Sequence, residues 1–461
     1  MALHMRTTKI RFKFQSSSWR QRRKMARNFL AILRHSLPLA LRYCAGRVAC
    51  PASFQPHPVG RDFFGLNVAS SPTADLEDYH FERLRELGVT HVRTDYAYGS
   101  DLEPAERWID RLTAAGFDVL IHLVQPSSQA ARMHEPACRD AWADFLRHVF
   151  ARFAGKVRLY EVGSTPNRQS WSGYSIEDYV AAFLIARDAA AASDAALIGP
   201  NVSDFAPYFM AALLAELRAR GVRLPYISDN LFVDRAGQPE NFDDHVLHPW
   251  TRRLHRLDVA RKACVLDTLA RQAGMGPPIC TYVYWTINPD PSKVRRRYVT
   301  EEQYANHLVR YFVYSAAAGH LHRIYWGQMS GFFKGLIDDG ARMRFDPPAV
   351  YQRLLNEGNA REYRKRPAFD AYRALIGQLA GSQFVRKWAA GESDAYVFEF
   401  EQAGTPLLVG WTKNGAQAPL RAILPDRPIS RILDRDGAEQ AIPSEIILTE
   451  RPRYLLIANY E

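Results

Sequence analysis

Carboxylates stand at or near the ends of three short apolar runs: Asp95 in THVRTDY, Glu161 in VRLYEVG and Asp229 in PYISDNLFV. Two carboxyl groups facing one another are the usual equipment for general acid and base work on one bond. Near the ends of such runs lie Arg93, Asn67, Asn167, Asn201, Asn230 and Gln328, which offer hydrogen bonds to hydroxyl groups. The aromatics Trp171, Tyr284, Trp285 and Trp326 offer flat faces for stacking on a ring. Together they suit a polyhydroxylated ligand. Each aromatic is equally compatible with ordinary packing. Each aspartate is equally compatible with a strand end or a helix cap. Glu161 suits a buried ion pair with Arg93, because a buried charge needs a partner. His122 reads as a core histidine, and Glu240 cannot be placed.

These residues need elements to hold them. After Arg61 the chain alternates eight short apolar runs with helical patterns, many of which stop at glycine, as at Gly88, Gly116, Gly274 and Gly319. That alternation predicts an α/β fold, a closed (β/α)8 TIM barrel over residues 61–381. A doubly wound open sheet is the alternative, weakened because no Gly-rich phosphate turn follows the first run. From Gln383 the apolar pattern turns to period two, which predicts a small antiparallel β-sandwich over 382–461. Residues 1–60 read as a basic extension ending in a Pro-rich linker. In such a barrel the site lies at the C-terminal ends of the strands. Alternation points His91, Arg93 and Asp95 inward on strand two, Glu161, Gly163 and Thr165 on strand four, and Cys280, Tyr282 and Tyr284 on strand seven.

At strand four the sequence reads Tyr160, Glu161, Val162, Gly163, Ser164, Thr165, Pro166, Asn167. At strand seven it reads Pro278, Ile279, Cys280, Thr281, Tyr282, with Trp285 following. Strand eight carries Tyr325, Trp326 and Gly327, and GLID follows at Gly335 to Asp338. In order, these motifs resemble the clan-A glycoside hydrolases, the family 39 type with its trailing β-sandwich in particular, over residues 61–461. The resemblance implies a glycan or polysaccharide ligand and no cofactor or metal. It also places Thr165 where the family carries its acid/base glutamate and Tyr282 where it carries the nucleophile. A retaining enzyme needs two carboxylates about 5–5.5 Å apart, and neither residue supplies one. The expected role is therefore a glycan-binding protein degenerate for retaining hydrolysis, with a place in surface polysaccharide or lipopolysaccharide metabolism. Arg93, Asn167, Trp171, Asn230, Tyr284, Trp285 and Trp326 are the candidate sugar contacts, around an open pocket faced by Ser164, Thr165 and Tyr282. The alternatives are an active glycosidase with displaced acids, Asp95 and Asp229 first, and a barrel scaffold that binds no carbohydrate.

The chain has 461 residues and a net charge of +11, but residues 1–60 hold twelve Lys/Arg and no Asp or Glu. The remaining body sums to −1, which argues against a nucleic-acid partner. Five scattered cysteines suggest neither a disulfide framework nor a zinc site and favour a reducing, cytoplasmic location, with export as an alternative. In the extension, Met25, Phe29, Leu33, Leu37 and Leu41 recur every four residues behind a cluster at Arg20, Arg22, Arg23, Lys24 and Arg27. An amphipathic segment on an anionic membrane surface, a targeting peptide, and a solvated or barrel-packed arm all stay open.

Overall fold

The protein is described by a computed structural model covering residues 30, 32–34, 54–243, 257–289, 297–340, 355–388, 394–425 and 427–458. Eight parallel strands close into a barrel: β1 (Phe64–Asn67), β2 (His91–Ala97), β3 (Asp118–Val124), β4 (Leu159–Val162), β5 (Ala196–Ser203), β6 (Ile227–Asn230), β7 (Pro278–Val283) and β8 (Arg323–Trp326). Helices α1 (Ala74–Leu87), α2 (Glu103–Ala114), α3 (Pro136–Arg152), α4 (Ile176–Ala190), α5 (Pro207–Ala219), α6 (Val259–Ala273), α7 (Glu301–Ala318) and α8 (Pro367–Leu379) follow the strands.

Local chemistry sets the helix ends. Ser175 and Asp178 form a reciprocal capping box on α4, and Thr300 and Gln303 do the same on α7. Gly274 and Gly319 end α6 and α7 in the left-handed conformation that other residues resist. Leu120, Ile198, Ile279 and Tyr325 fill the lower barrel with an apolar plug. That plug supports the polar layer above it.

The C-terminal part is an antiparallel sheet. Its strands are β9 (Ser382–Trp388), β10 (Ala395–Gln402), β11 (Thr405–Thr412), β12 (Ile429–Leu433), β13 (Glu439–Gln440) and β14 (Arg453–Ile457), in the order β9-β10-β11-β14-β12-β13. The strand His57–Val59, from the linker, pairs with β9 and completes seven strands. Alternation works here as the sequence implies. Phe384, Phe398, Phe400, Val409 and Trp411 join the barrel's apolar core, while Val397, Leu408, Ile432 and Leu455 join a second cluster with Leu420, Leu424 and Leu448. The run LRAILP opens with a short 3-10 turn at Leu420–Ala422.

Cys264 is disulfide-bonded, while Cys138 and Cys280 are free. The expectation of unpaired cysteines therefore fails at Cys264, because spacing in sequence carries no information on which thiols the fold brings together.

Candidate functional site

The upper barrel interior is a continuous hydrogen-bonded network centred on Arg93. Its Nε donates to Glu161 Oε2 at 2.8 Å, and Nη1 donates to Asn67 Oδ1 at 2.8 Å and to Asp95 Oδ1 at 3.3 Å. His122 Nδ1 lies 2.7 Å from Asp95 Oδ1, and its Nε2 lies 3.0 Å from the Gly163 carbonyl. The Thr281 hydroxyl lies 3.0 Å from Glu161 Oε1 and 3.2 Å from Asn230 Oδ1, with its one proton to donate between them. Asn230 Nδ2 in turn donates to Asn201 Oδ1. Glu161 is fully buried. Burial alone would raise its carboxyl pKa, but Arg93 first, then His122, Ser228 and Asn201, carry it below the usual value. The Arg93–Glu161 pair read from sequence is therefore present, and it holds Glu161 ionised.

Strand four departs from simple alternation. Gly163 has φ 76°, and a Cβ there would meet the Tyr179 ring of α4 at 2.8 Å, so this position faces the helices and not the interior. Thr165 follows with φ 43°, and its amide donates to Asn201, which has φ 54°. Asp204 and Phe205 are also left-handed. Four non-glycine residues in this region sit at the ends of strands four and five, and each is held at a cost of about 1–3 kcal/mol. Backbone strain is thus concentrated at the C-terminal rim of the barrel. Ser164, Thr165 and Tyr282 are at most 2% exposed. The expectation that these three side chains line an open pocket is therefore corrected: each is shielded from water. The Ser164 and Thr165 hydroxyls are buried without a hydrogen-bond partner.

Strand seven departs from the expected phase too, and its pairing with strand eight is irregular between Ile324 and Trp326. Cys280, expected inward, lies 3.6 Å from the Tyr311 hydroxyl of α7. Thr281 takes the inward place. Tyr282 also lies close enough to Asp95 and Arg93 for their charges to act on its phenol. Burial first, then Tyr284 and Asp95, push that phenol well above its usual pKa, so it stays protonated. The Lys334 ammonium lies 5.2 Å from the Tyr282 ring centre and 4.8 Å from that of Tyr284, an aromatic–cation cluster that Phe232 joins edge-on. Lys334, Thr281 and Phe232 were missed by sequence reasoning. Thr281 faces inward in phase with Ile279 of the plug, one residue off the assignment made from sequence, and nothing in GFFKGLID distinguishes Lys334 from a loop lysine.

The displaced acid pair does not form. Asp95 is inside, against Arg93 and His122. Asp229 is on the outer side of strand six, fully buried and within the electrostatic reach of Lys262 on α6 and of Cys280 and Tyr311. Neither Asp229 oxygen has a hydrogen bond of regular geometry. Burial raises its carboxyl to about 8 against the opposing charge of Lys262. The strand wall therefore separates Asp95 from Asp229, because alternation that sends Ser228 and Asn230 inward sends Asp229 outward.

Of the expected sugar contacts, Trp285 and Trp326 are corrected. Both are 0% exposed and stack on each other at 6.0 Å. Their indole N–H groups donate to the Gly237 carbonyl and the Tyr304 hydroxyl. Neither presents a face to a ligand. Asn167 bridges strands four and five by donating to the Ser203 carbonyl at 2.8 Å and accepting from its amide at 2.9 Å. Asn230 and Arg93 are engaged within the network. Trp171 and Tyr284 are half-buried and retain surface. Arg168 from the strand-four loop and Arg235 from the strand-six loop converge on Asp204. Among the described residues, no cluster of His, Cys, Asp and Glu could hold a metal ion.

No family model matches the chain, and no curated protein sequence matches it. Solved structures do. A family 39 glycoside hydrolase from the gut symbiont Bacteroides cellulosilyticus WH2 is similar at 14% identity with a TM-score of 0.59, covering 87% of this chain and 81% of that one. A family 39 β-xylosidase from Caulobacter crescentus is similar at 14% identity with a TM-score of 0.52, covering 88% and 98%. A family 30 subfamily 8 xylanase from Clostridium acetobutylicum is similar at 13% identity with a TM-score of 0.53, covering 88% and 97%. At these identities the likeness carries architecture alone: the closed eight-stranded barrel with its antiparallel sheet is the fold of clan-A glycoside hydrolases.

Proposed function

We propose that this protein binds a glycan at the C-terminal rim of its barrel and does not cleave it by the two-carboxylate route. The observation that carries the reading is the state of Glu161. It is fully buried, paired with Arg93 and held below its usual pKa, so it cannot donate a proton at the rim. Thr165 and Tyr282 stand where the resemblance expects the two glutamates. A threonine hydroxyl is far too weak an acid for the first role, and a phenol kept protonated by burial is a poor nucleophile for the second. Trp171 and Tyr284 supply the stacking surface. A polysaccharide of the cell surface is the ligand class that this reading favours.

The test combines binding and turnover on the full chain. A glycan array supplemented with cell-envelope polysaccharide extracts is expected to return a saccharide whose affinity falls at least tenfold in Trp171→Ala or Tyr284→Ala. Incubation with that saccharide and with aryl glycosides is expected to release no reducing ends. Cleavage that disappears in Asp95→Asn would overturn the non-cleaving reading. Absence of binding to any saccharide would overturn the glycan reading itself.

A further inference from the structure

The extension keeps a foothold on the body and leaves apolar surface uncovered. Residues Leu30 and 32–34 are helical. Ile32 is half-buried and packs against the main apolar core. Leu30 and Leu33 are 61% and 46% exposed, two of the five exposed large apolar side chains among the described residues. Positions three apart share a helix face, so the leucines form one patch turned away from the side that Ile32 anchors. Arg34 beside them is exposed. In sequence the patch is flanked by Arg20, Arg22, Arg23, Lys24 and Arg27, within sixty residues that carry twelve basic side chains and no acidic one.

We propose that this segment docks the protein on an anionic lipid bilayer, with Leu30 and Leu33 entering the boundary between headgroups and acyl chains and the basic cluster meeting the lipid anions. Charge decides the occupant. The rest of the chain sums to −1, far too little net negative charge to balance the +12 of the extension, on this copy or a second one. A leucine patch bordered by arginine matches a surface that is anionic outside and apolar beneath. Among the described residues, no helix is long and apolar enough to cross a membrane. Docking places the glycan site beside a membrane, yet it does not depend on that site.

The experiment is co-sedimentation of the full-length protein with phosphatidylcholine vesicles, with and without phosphatidylglycerol, at low and high salt. Binding is expected only with phosphatidylglycerol and is expected to weaken with salt. Leu30→Ser with Leu33→Ser, which leaves every charge in place, is expected to lower partitioning by about tenfold. Replacing Arg20, Arg22, Arg23 and Lys24 with Gln is expected to abolish the phosphatidylglycerol dependence. Both variants alter exposed or flanking positions, and unchanged thermal unfolding would confirm that they fold. Equal binding by the leucine variant overturns the proposal. So does preference for duplex DNA or RNA over vesicles in competition, and so does leucine-dependent self-association without vesicle binding.

Discussion

Trp411 of the C-terminal sheet donates its indole N–H to Glu240 Oε1 of the barrel at 2.8 Å. The same carboxylate accepts from Arg310 Nε on α7 at 2.9 Å, and all three side chains are buried. Gln238, two residues before Glu240, donates to Glu450 and accepts from Arg310. The loop after strand six, which forms one wall of the rim, is thus tied to the C-terminal sheet through a buried charge. Glu240→Ala leaves Arg310 buried and uncompensated and is expected to cost about 3–5 kcal/mol in urea unfolding. Trp411→Phe removes one hydrogen bond and a little area, and about 1 kcal/mol is expected.

Asp229 gives a pH dependence of defined sign. Its folded value is raised from 3.8 to about 8. Between those values the folded state holds a proton that the unfolded state has released, so this group's contribution to stability falls as pH rises through the window. Asp229→Asn removes that dependence. The variant is expected to gain about 1–3 kcal/mol over the parent at pH 8, shrinking towards pH 4, in paired denaturant titrations. A pH-independent difference would show that Lys262 holds Asp229 ionised.

The buried histidines act at the acid end. Burial lowers His80 to about 4 and lowers His307 and His322 as well. Above pH 6.5 both states are neutral and nothing is lost. Below it the unfolded chain takes up protons that the folded chain refuses, so stability falls as pH drops from about 6.5 to about 4. His80 alone is expected to contribute a slope of about 1 kcal/mol per pH unit in that range. His80→Gln should flatten the profile by that amount, read as the unfolding midpoint at each pH. It should also lower stability at pH 7, because the His80–Ser330 contact at 2.7 Å is disturbed.

Trp171 and Trp285 separate ligand contact from packing. Trp285→Ala opens a cavity beneath the rim and is expected to cost about 3–5 kcal/mol. Trp171 is half-buried, so Trp171→Ala is expected to cost about 1 kcal/mol, well below the cost of Trp285→Ala. If glycan affinity falls in Trp285→Ala alone, the stacking role assigned to Trp171 is wrong.

The barrel is legible because its signals are local and repeated. Helix-stop glycines such as Gly274 and Gly319, and apolar runs of strand length, each predict one turn or one strand without knowledge of the rest. The Arg93–Glu161 pair is legible for a different reason: two opposite charges assigned to the interior of one barrel have few other ways to be satisfied. The rim is where reading by alternation fails. One left-handed glycine, Gly163, turns strand four's last residues off their pattern, and strand seven has the opposite phase to the one expected, with Ile279 and Thr281 inside and Cys280 outside. Asp229 follows alternation faithfully, but a strand assigned as SDN does not say which of its three residues faces inside. Trp285 and Trp326 misled because a tryptophan near a strand end looks the same in sequence whether its ring meets a sugar or another indole. These are the places where a site departs from regular geometry, and regular geometry is all that periodicity can report.

The sealing of the inner indoles has an optical consequence. Trp108, Trp142, Trp285, Trp326 and Trp411 are all closed to water, whereas Trp171 and Trp388 are half-buried. Emission from the first five should lie to the blue and resist aqueous quenchers. Trp171 lies at the rim and Trp388 on the C-terminal sheet. Among the described tryptophans, a spectral change on adding saccharide would therefore originate at Trp171, and the protein carries its own fluorescent reporter beside the surface where a ligand would rest.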